Sequence, residues 1–313
     1  MQYNQIQILF IIEENIFLSM SEFNLHKDIT IVIVLYKETF KLLSKTLTSI
    51  NSFKKIIIDN DKNLELKKKI ESQFSINEYI LNKKNNGFSA GYNQGIKLSK
   101  TKFTLILGPD CIIEEKNILK LKKKILENDD CFIASPTSYD ENNDLTYAGG
   151  LLPERGAKDI ILDIKGDTCV ENTLGACMLF RTKDLIENNL LFDENFFLYY
   201  SDDDLCRRKK KINKFIIQVY DAKCIYQHGI IKIKNKYAKK FIREYNFTFD
   251  RYYYFFKINK HINLIKAYKK RIPLFILRFL LKVLTLNFLA AVGLIAQYLA
   301  YYKFKFNQIS KYC

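Results

Sequence analysis

The chain has 313 residues, 48% of them hydrophobic and 14% aromatic, which is too apolar for a disordered polymer and enough for one large core or two modest domains. Its net charge of +16 is unevenly placed: residues 1–204 carry 25 Lys and Arg against 31 Asp and Glu, whereas residues 205–313 carry 25 against 3. Only 8 of the 50 basic residues are Arg, the side chain that grips bases bidentately, so the basic third reads as a lipid-facing segment and nucleic acid is excluded as a partner.

Residues 1–28 show no core pattern and are taken as an N-terminal extension, with Met20 a candidate natural start. The apolar stretch from Ile6 to Ile12 is short, has no basic residues before it and runs into Glu13 and Glu14, so no secretory signal is expected. Seven cysteines at 111, 131, 169, 177, 206, 224 and 313 form no CxxC pair, which fits a reducing cytosol without structural zinc.

From Ile29 the pattern changes. ITIVIVLY (29–36) is a continuous β-branched run, the mark of a strand covered on both faces. The helix-like segment 39–52 leads to a second such strand, KKIIIDND (54–61), ending in Asp59 and Asp61. Further strands are predicted at 78–81, 103–107, 131–136 and 216–219, and 172–181 combines a small-residue turn with an apolar strand; helices are predicted at 67–74, 93–99 and 116–127. A Gly/Asn loop is expected over 85–91, and 140–170 reads as loop-rich. This rhythm of strand and helix with short connections predicts an α/β, doubly wound, mostly parallel sheet with helices on both faces over residues 29–250.

Four constellations carry chemistry. Asp59 and Asp61 follow a strand, where a carboxylate either accepts hydrogen bonds from a nucleobase or ribose or caps its own turn. NNGFSAGYNQGI (85–96) is a glycine-rich approach to a helix, suited to phosphate. It lacks the Walker GK[ST] and does not follow the first strand, which disfavours a dinucleotide enzyme. Asp110 closes LILGPD at the carboxyl end of a strand, where it can hold a divalent ion on a diphosphate or merely sit in a Pro turn. Asp202, Asp203 and Asp204 are three adjacent carboxylates, one of which resists ionisation unless a cation or substrate lies nearby; an acid-base or metal site is preferred over a helix cap. His228, in CIYQHG, is a further metal ligand, a phosphate contact or a structural histidine.

The order of ITIVIVLYKE, IIIDND, NNGFSAGYNQGI, LILGPD, LGACMLFR, FDENFFLYYSDDDLCRR and DAKCIYQHG resembles the family 2 glycosyltransferases over about residues 29–260. The likeness is strongest to the bacterial rhamnosyltransferase-like branch that builds surface polysaccharides. It implies a GT-A fold, a dTDP-, UDP- or GDP-linked sugar donor, Mg2+ or Mn2+, and inversion at the anomeric carbon. By that resemblance Tyr36 flanks the donor base, Asp59 meets the base and Asp61 lies near the ribose. Asn86, Gly87, Gly91 and Asn93 line the diphosphate and donor sugar. Asp110 is the last Asp of the metal motif, and GACMLFR walls the acceptor pocket. Asp202 falls at the general base. Two departures stand out: Gly108 replaces the first Asp of DxD, and Ser201 replaces a Glu, so that Asp203 is a candidate to share the base role. No Trp occurs anywhere, so the QxxRW signature of processive synthases is absent and a single addition is implied.

Residues 251–313 are expected to form a basic, apolar helical region. Lys266, Lys269, Lys270 and Arg271 precede an apolar stretch in which Arg278 and Lys282 lie one helical turn apart, on one face. Residues 283–302 are 20 uncharged positions, long enough to span, but Asn287, Gln297 and the closing tyrosines favour peripheral attachment to the anionic inner face of the cytoplasmic membrane. Packing on the catalytic domain and a homodimer seam are the other uses of such a face. The expected reaction moves one sugar to a lipid-linked or lipopolysaccharide oligosaccharide acceptor. The rival is a non-catalytic, membrane-attached protein that binds sugar nucleotides.

Overall fold

The computed structural model describes residues 26–147, 149–155, 165–227, 233, 235–259 and 261–305. Strands β1 (Ile29–Leu35), β2 (Lys54–Asp59), β3 (Glu78–Leu81) and β4 (Phe103–Leu107) pair in parallel in the order β3-β2-β1-β4. They are joined by helices α1 (Phe40–Ser49), α2 (Leu64–Glu71) and α3 (Gly87–Leu98). The unbroken apolar runs follow from burial on both faces. Ile29, Ile31, Ile33 and Leu35 pack with Leu43 and Leu47 of α1 and Ile70 of α2, while Val32, Ile56 and Ile58 pack with Tyr92 and Ile96 of α3.

The second half is mixed. It comprises β5 (Cys111–Ile113), α4 (Glu115–Glu127), β6 (Cys131–Tyr139), β7 (Leu145–Tyr147), β8 (Thr168–Val170), β9 (Cys177–Arg181), α5 (Thr182–Glu187), α6 (Ser201–Arg208) and β10 (Phe215–Tyr226). Strand β9 lies antiparallel between β4 and β6; β10 runs parallel to β6 and carries β5 and β8 antiparallel to itself. The mostly parallel sheet expected from the sequence is therefore corrected to a parallel half and a mixed half. Strands of three residues leave no readable period, which is why β5, β7 and β8 were not foreseen. Strand β10 runs seven residues past the expected end at Val219, because a register break between Val219 and Lys223 looks like a turn in the sequence.

Three long helices close the chain: α7 (Lys236–Lys257), α8 (His261–Leu284) and α9 (Phe288–Lys305). The domain boundary expected at 250/251 falls inside α7. Helix α9 packs on α7 through Gly293, Ala296 and Ala300; a Cβ at Gly293 would stand 2.8 Å from Lys240 Cε. Tyr252 and Phe304 stack at 5.4 Å to complete that seam.

Candidate active site

Four backbone segments meet at the carboxyl edge of the parallel half. The Gly108 N–H donates to Ala176 O at 2.8 Å, joining the end of β4 to the turn before β9. In that turn Gly175 N–H donates to Asp202 Oδ2 at 2.8 Å. A Cβ on Gly175 would lie 2.9 Å from the same oxygen and 3.1 Å from Phe88 Cζ, so the turn, α3 and α6 are in direct contact. The Phe88 N–H donates to Phe197 O at 2.7 Å, tying α3 to the aromatic segment ahead of α6. The two acidic motifs, far apart in sequence, therefore share one rim.

On the first side, Asp110 is 7% exposed and its carbonyl accepts Gln227 N–H at 3.1 Å. The Pro109 carbonyl accepts Thr46 Oγ1 at 2.9 Å, which pins the turn to α1. A Cβ at Gly108 would stand 2.8 Å from Asp110 Oδ1, so the carboxylate occupies the space where a first DxD side chain would begin. Tyr226, paired with Cys111 across β5 and β10, has its phenol pushed up by burial and then by the nearby carboxylates of Asp110 and Asp202. Its ring thus feels both carboxylates.

On the second side, α6 starts at Tyr200, whose left-handed backbone (φ 60°) turns the chain so that three carboxylates fill the first helical turn. Their environments differ. Asp204 is buried and ion-paired, with Arg208 Nε at 2.7 Å and Lys257 Nζ at 2.6 Å, so it fastens α6 to the end of α7. Burial raises the Asp202 carboxyl, opposed by hydrogen bonds from the N–H groups of Gly175 and Asp203 that favour its anion. Asp203 is raised well above the carboxylate range, by burial and then by the Asp202 charge; its Oδ1 accepts Asn172 Nδ2 at 2.5 Å. Both carboxyls are thus held above the ordinary carboxylate range, and the adjacent groups titrate as a pair. Ser201 is buried, its Oγ 2.5 Å from Ser89 Oγ of α3, so it joins the two helices.

Sequence reasoning did not find the residue that sets this geometry. Asp250 of α7 is fully buried and its carboxylate accepts three consecutive N–H groups, from Phe197 (3.3 Å), Leu198 (3.0 Å) and Tyr199 (2.8 Å). The available signal was its rarity, as one of only three acidic residues after position 204.

The expected donor-side residues divide. Tyr36 is half-buried, with Lys37 Nζ 5.2 Å from its ring centre, and Asp61 is exposed. Asp59, expected at the base, is 0% exposed. Its Oδ1 accepts Asp61 N–H at 2.7 Å, and its Oδ2 accepts Asn63 N–H at 3.3 Å and the Tyr79 hydroxyl at 3.1 Å. It caps its own turn. The segment expected as a Gly/Asn loop is the start of α3. Gly87 (φ +82°) lies at its N-terminus, where a Cβ would fall 2.4 Å from Phe197 O, and Asn86 is its half-buried N-cap residue. Gly91 and Asn93 lie deeper than expected. Gly91 packs on Val34, while Asn93 Nδ2 donates to Phe192 O (2.8 Å) and Glu194 Oε1 (3.0 Å). Both hold α3 in place. His228 lies outside the described residues.

Among the described residues no three His, Cys, Asp or Glu side chains gather to hold a metal ion. The six described cysteines are free. Cys111 and Cys177, just below Asp110, are buried soft donors within the apolar core. A hard ion that needs one protein carboxylate and completes its oxygen shell from phosphates fits Asp110; a protein-only metal cage does not.

Comparison with known proteins places this architecture. The pattern described as Glycosyl transferase family 2 matches residues 30–187. The low-salt glycan biosynthesis hexosyltransferase Agl10 of Haloferax volcanii is 30% identical over 62% of this chain and 66% of its own length. The chain thus spans about two thirds of that relative. Among solved structures, the mannosyltransferase PcManGT of Pyrobaculum calidifontis, in complex with GDP-Man and Mn2+, superposes with a TM-score of 0.51 at 12% identity, covering 90% of this chain and 88% of that one. GalNAc-T7 with UDP, GalNAc and Mn2+ gives 0.52 at 15% identity, covering 64% and 44%. At such identities the likeness is one of fold, and that fold is GT-A.

Proposed function

This chain belongs to glycosyl transferase family 2, and from that premise we propose that it transfers one sugar from a nucleotide donor to a hydroxyl of an oligosaccharide acceptor, with inversion. The observation that carries the reading is Asp202: a carboxylate held by Gly175 N–H on the same rim as Asp110. A base there takes the proton of an acceptor hydroxyl as its oxygen attacks the anomeric carbon from the face opposite the leaving diphosphate. Burial raises its proton affinity, which suits that role. Asp203, beside it in the first turn of α6, is the candidate to share that role.

The neighbour PcManGT is described with GDP-Man and GalNAc-T7 with UDP, which supports a sugar-nucleotide donor. The Mn2+ of both supports a divalent ion, Mg2+ or Mn2+, with Asp110 as its protein ligand. Such an ion neutralises charge on the departing diphosphate. The N-terminal end of α3 at half-buried Asn86, together with Tyr36 and Asp61, forms the donor side of this proposal. We assign the acceptor to a lipid-linked or surface-polysaccharide oligosaccharide at the inner face of the cytoplasmic membrane, and keep a rhamnosyltransferase-like specificity as part of the proposal.

Incubation with labelled UDP-, GDP- and dTDP-sugars and a membrane extract tests the reaction. Transfer or donor hydrolysis with one donor class is the expected result; none across the panel overturns it. Asp110→Ala is expected to lower donor turnover by ~10²–10³-fold, the weight of metal charge neutralisation. Donor affinity in the variant should also stop responding to EDTA. Undiminished parent activity in EDTA would remove the metal from the scheme.

A further inference from the structure

We propose that α8 and α9 form a docking face that seats in the plane of an anionic lipid leaflet. The inference deepens the membrane-surface reading above and rests on it for where the acceptor is met, but not on the chemistry. It starts from a packing anomaly. Helix α8 has 24 residues, and none whose exposure is described is buried. Leu274, Leu277, Leu281 and Leu284 follow a 3-4-3 spacing along one face and are each at least 46% exposed. Ile276, Leu280 and Val283 widen that face, all exposed. Helix α9 continues it with Phe288, Ile295, Leu299 and Tyr302, while its small residues are spent against α7. Between the helices lies an open cavity of about 220 Å³ with a wholly apolar lining that includes Phe275, Phe279 and Tyr298. The turn between them ends in Leu286, 73% exposed and in a left-handed backbone (φ 54°), beside Leu284 at 77%. Soluble surfaces rarely present so large a contiguous apolar area without a binding role.

The charges choose the occupant. Residues 251–313 carry 12 Lys and Arg and no Asp or Glu. Arg278 and Lys282 lie one turn apart on the edge of the apolar face of α8, and both are exposed, as are Lys266 and Lys270 nearer its start. A second copy of this chain docked face to face about a twofold axis would set these cations against their own kind. An anionic leaflet offers apolar depth beneath and negative headgroups at the rim, which is the arrangement of an interfacial amphipathic helix. Orientation follows too. No described helix is long and apolar enough to cross a membrane, and cations beside Leu277 and Leu281 would be drawn into the hydrocarbon if the hairpin entered tip first.

The test is co-sedimentation of the full chain with phosphatidylglycerol and phosphatidylcholine vesicles at low and high salt, alongside donor hydrolysis without vesicles. The parent should prefer phosphatidylglycerol and lose that preference in salt. Leu277→Glu with Leu281→Glu, both exposed, should weaken partitioning to either vesicle at least about tenfold. Arg278→Glu with Lys282→Glu should abolish the anionic preference, about 30-fold for two cations near the leaflet. Donor hydrolysis should be unchanged in both. Parent-like partitioning of the leucine variant overturns the proposal. So does a parent that is a vesicle-blind dimer and becomes a monomer in that variant, which would make the face a seam between copies. If vesicle binding follows the expected pattern while no chain hydrolyses any donor, the docking face stands and the proposed reaction falls.

Discussion

Asp202→Asn is expected to lower turnover by about 10²–10⁴-fold, the range for loss of a general base, with donor affinity within a few-fold of the parent. The amide keeps the side chain's size and one oxygen acceptor, but its NH₂ then faces either Gly175 N–H or Asp203 N–H, each of which the carboxylate accepts. The variant's stability relative to the parent should nevertheless improve as pH rises. Burial raises both Asp202 and Asp203 above the ordinary 3.8, so the native state holds more protons than the unfolded chain above that pH. Their contribution to stability is complete below the unfolded pKa and is lost as pH rises through the folded values. A neutral amide does not suffer that loss. Thermal melts at pH 4 and pH 7 should therefore show the Asp202→Asn and Asp203→Asn chains gaining on the parent at the higher pH. For the same reason the acid limb of the parent's rate profile should lie above the ordinary carboxylate range. A dead Asp203→Asn with an active Asp202→Asn would exchange the two roles.

Asp250→Ala is the second substitution with a large expected effect, on folding and rate together. It leaves the N–H groups of Phe197, Leu198 and Tyr199 without their carboxylate, and one unsatisfied buried donor costs ~1–3 kcal/mol. About 3 kcal/mol or more of destabilisation is expected in a denaturant melt. Because those residues lead directly into Asp202, turnover should fall ~10²-fold, the cost of a displacement of about an ångström in a reacting group. Donor affinity should move less. Asp250→Asn keeps one acceptor oxygen but turns an NH₂ toward a backbone donor, so it should fall between parent and Ala. Burial pushes the Asp250 carboxyl up to about 7 against the three N–H bonds, so its proton-linked stabilisation is complete below 3.8 and is lost as pH rises through 7. A rate loss in Asp250→Ala without a stability loss would mean that Asp250 acts on substrate and not on the segment.

The strands that the sequence disclosed are those whose chemistry is local. Ile29–Leu35, Lys54–Asp59 and Phe103–Leu107 each carry a run of apolar residues because helices cover both faces, and no other part of the chain needs to be known. Asp110 and Asp202 were legible because each follows a recognisable local signal, a strand end and a charge cluster. What stayed hidden depends on distant partners. The three carboxylates 202–204 look alike in sequence, and only Lys257, Arg208 and Gly175 distinguish Asp204 from Asp202. Asn93 reads as a polar residue in a ligand loop until Phe192 and Glu194 are seen to bind it. Asp250 sits among aromatic residues of a basic helix, and its role exists only through a segment some fifty positions upstream. Gly91 and Gly95 signal close approach correctly, but what approaches is Val34 and Val32 of β1.

The antiparallel placement of β9 has a consequence for how the chain is made. Strands β1 to β4 have all emerged by residue 107, so that half can pair early in synthesis. Strand β9 pairs β4 only after β5 to β8 have emerged, because its own residues lie beyond position 176. Until then β4 presents a bare apolar edge, with Leu105 and Ile106 along it, of the kind that recruits strands from other molecules. Asp110 and the Gly175 contact to Asp202 lie at the two sides of that late junction. A nascent chain that stalls before residue 177 is thus both without a site and at its most exposed to aggregation.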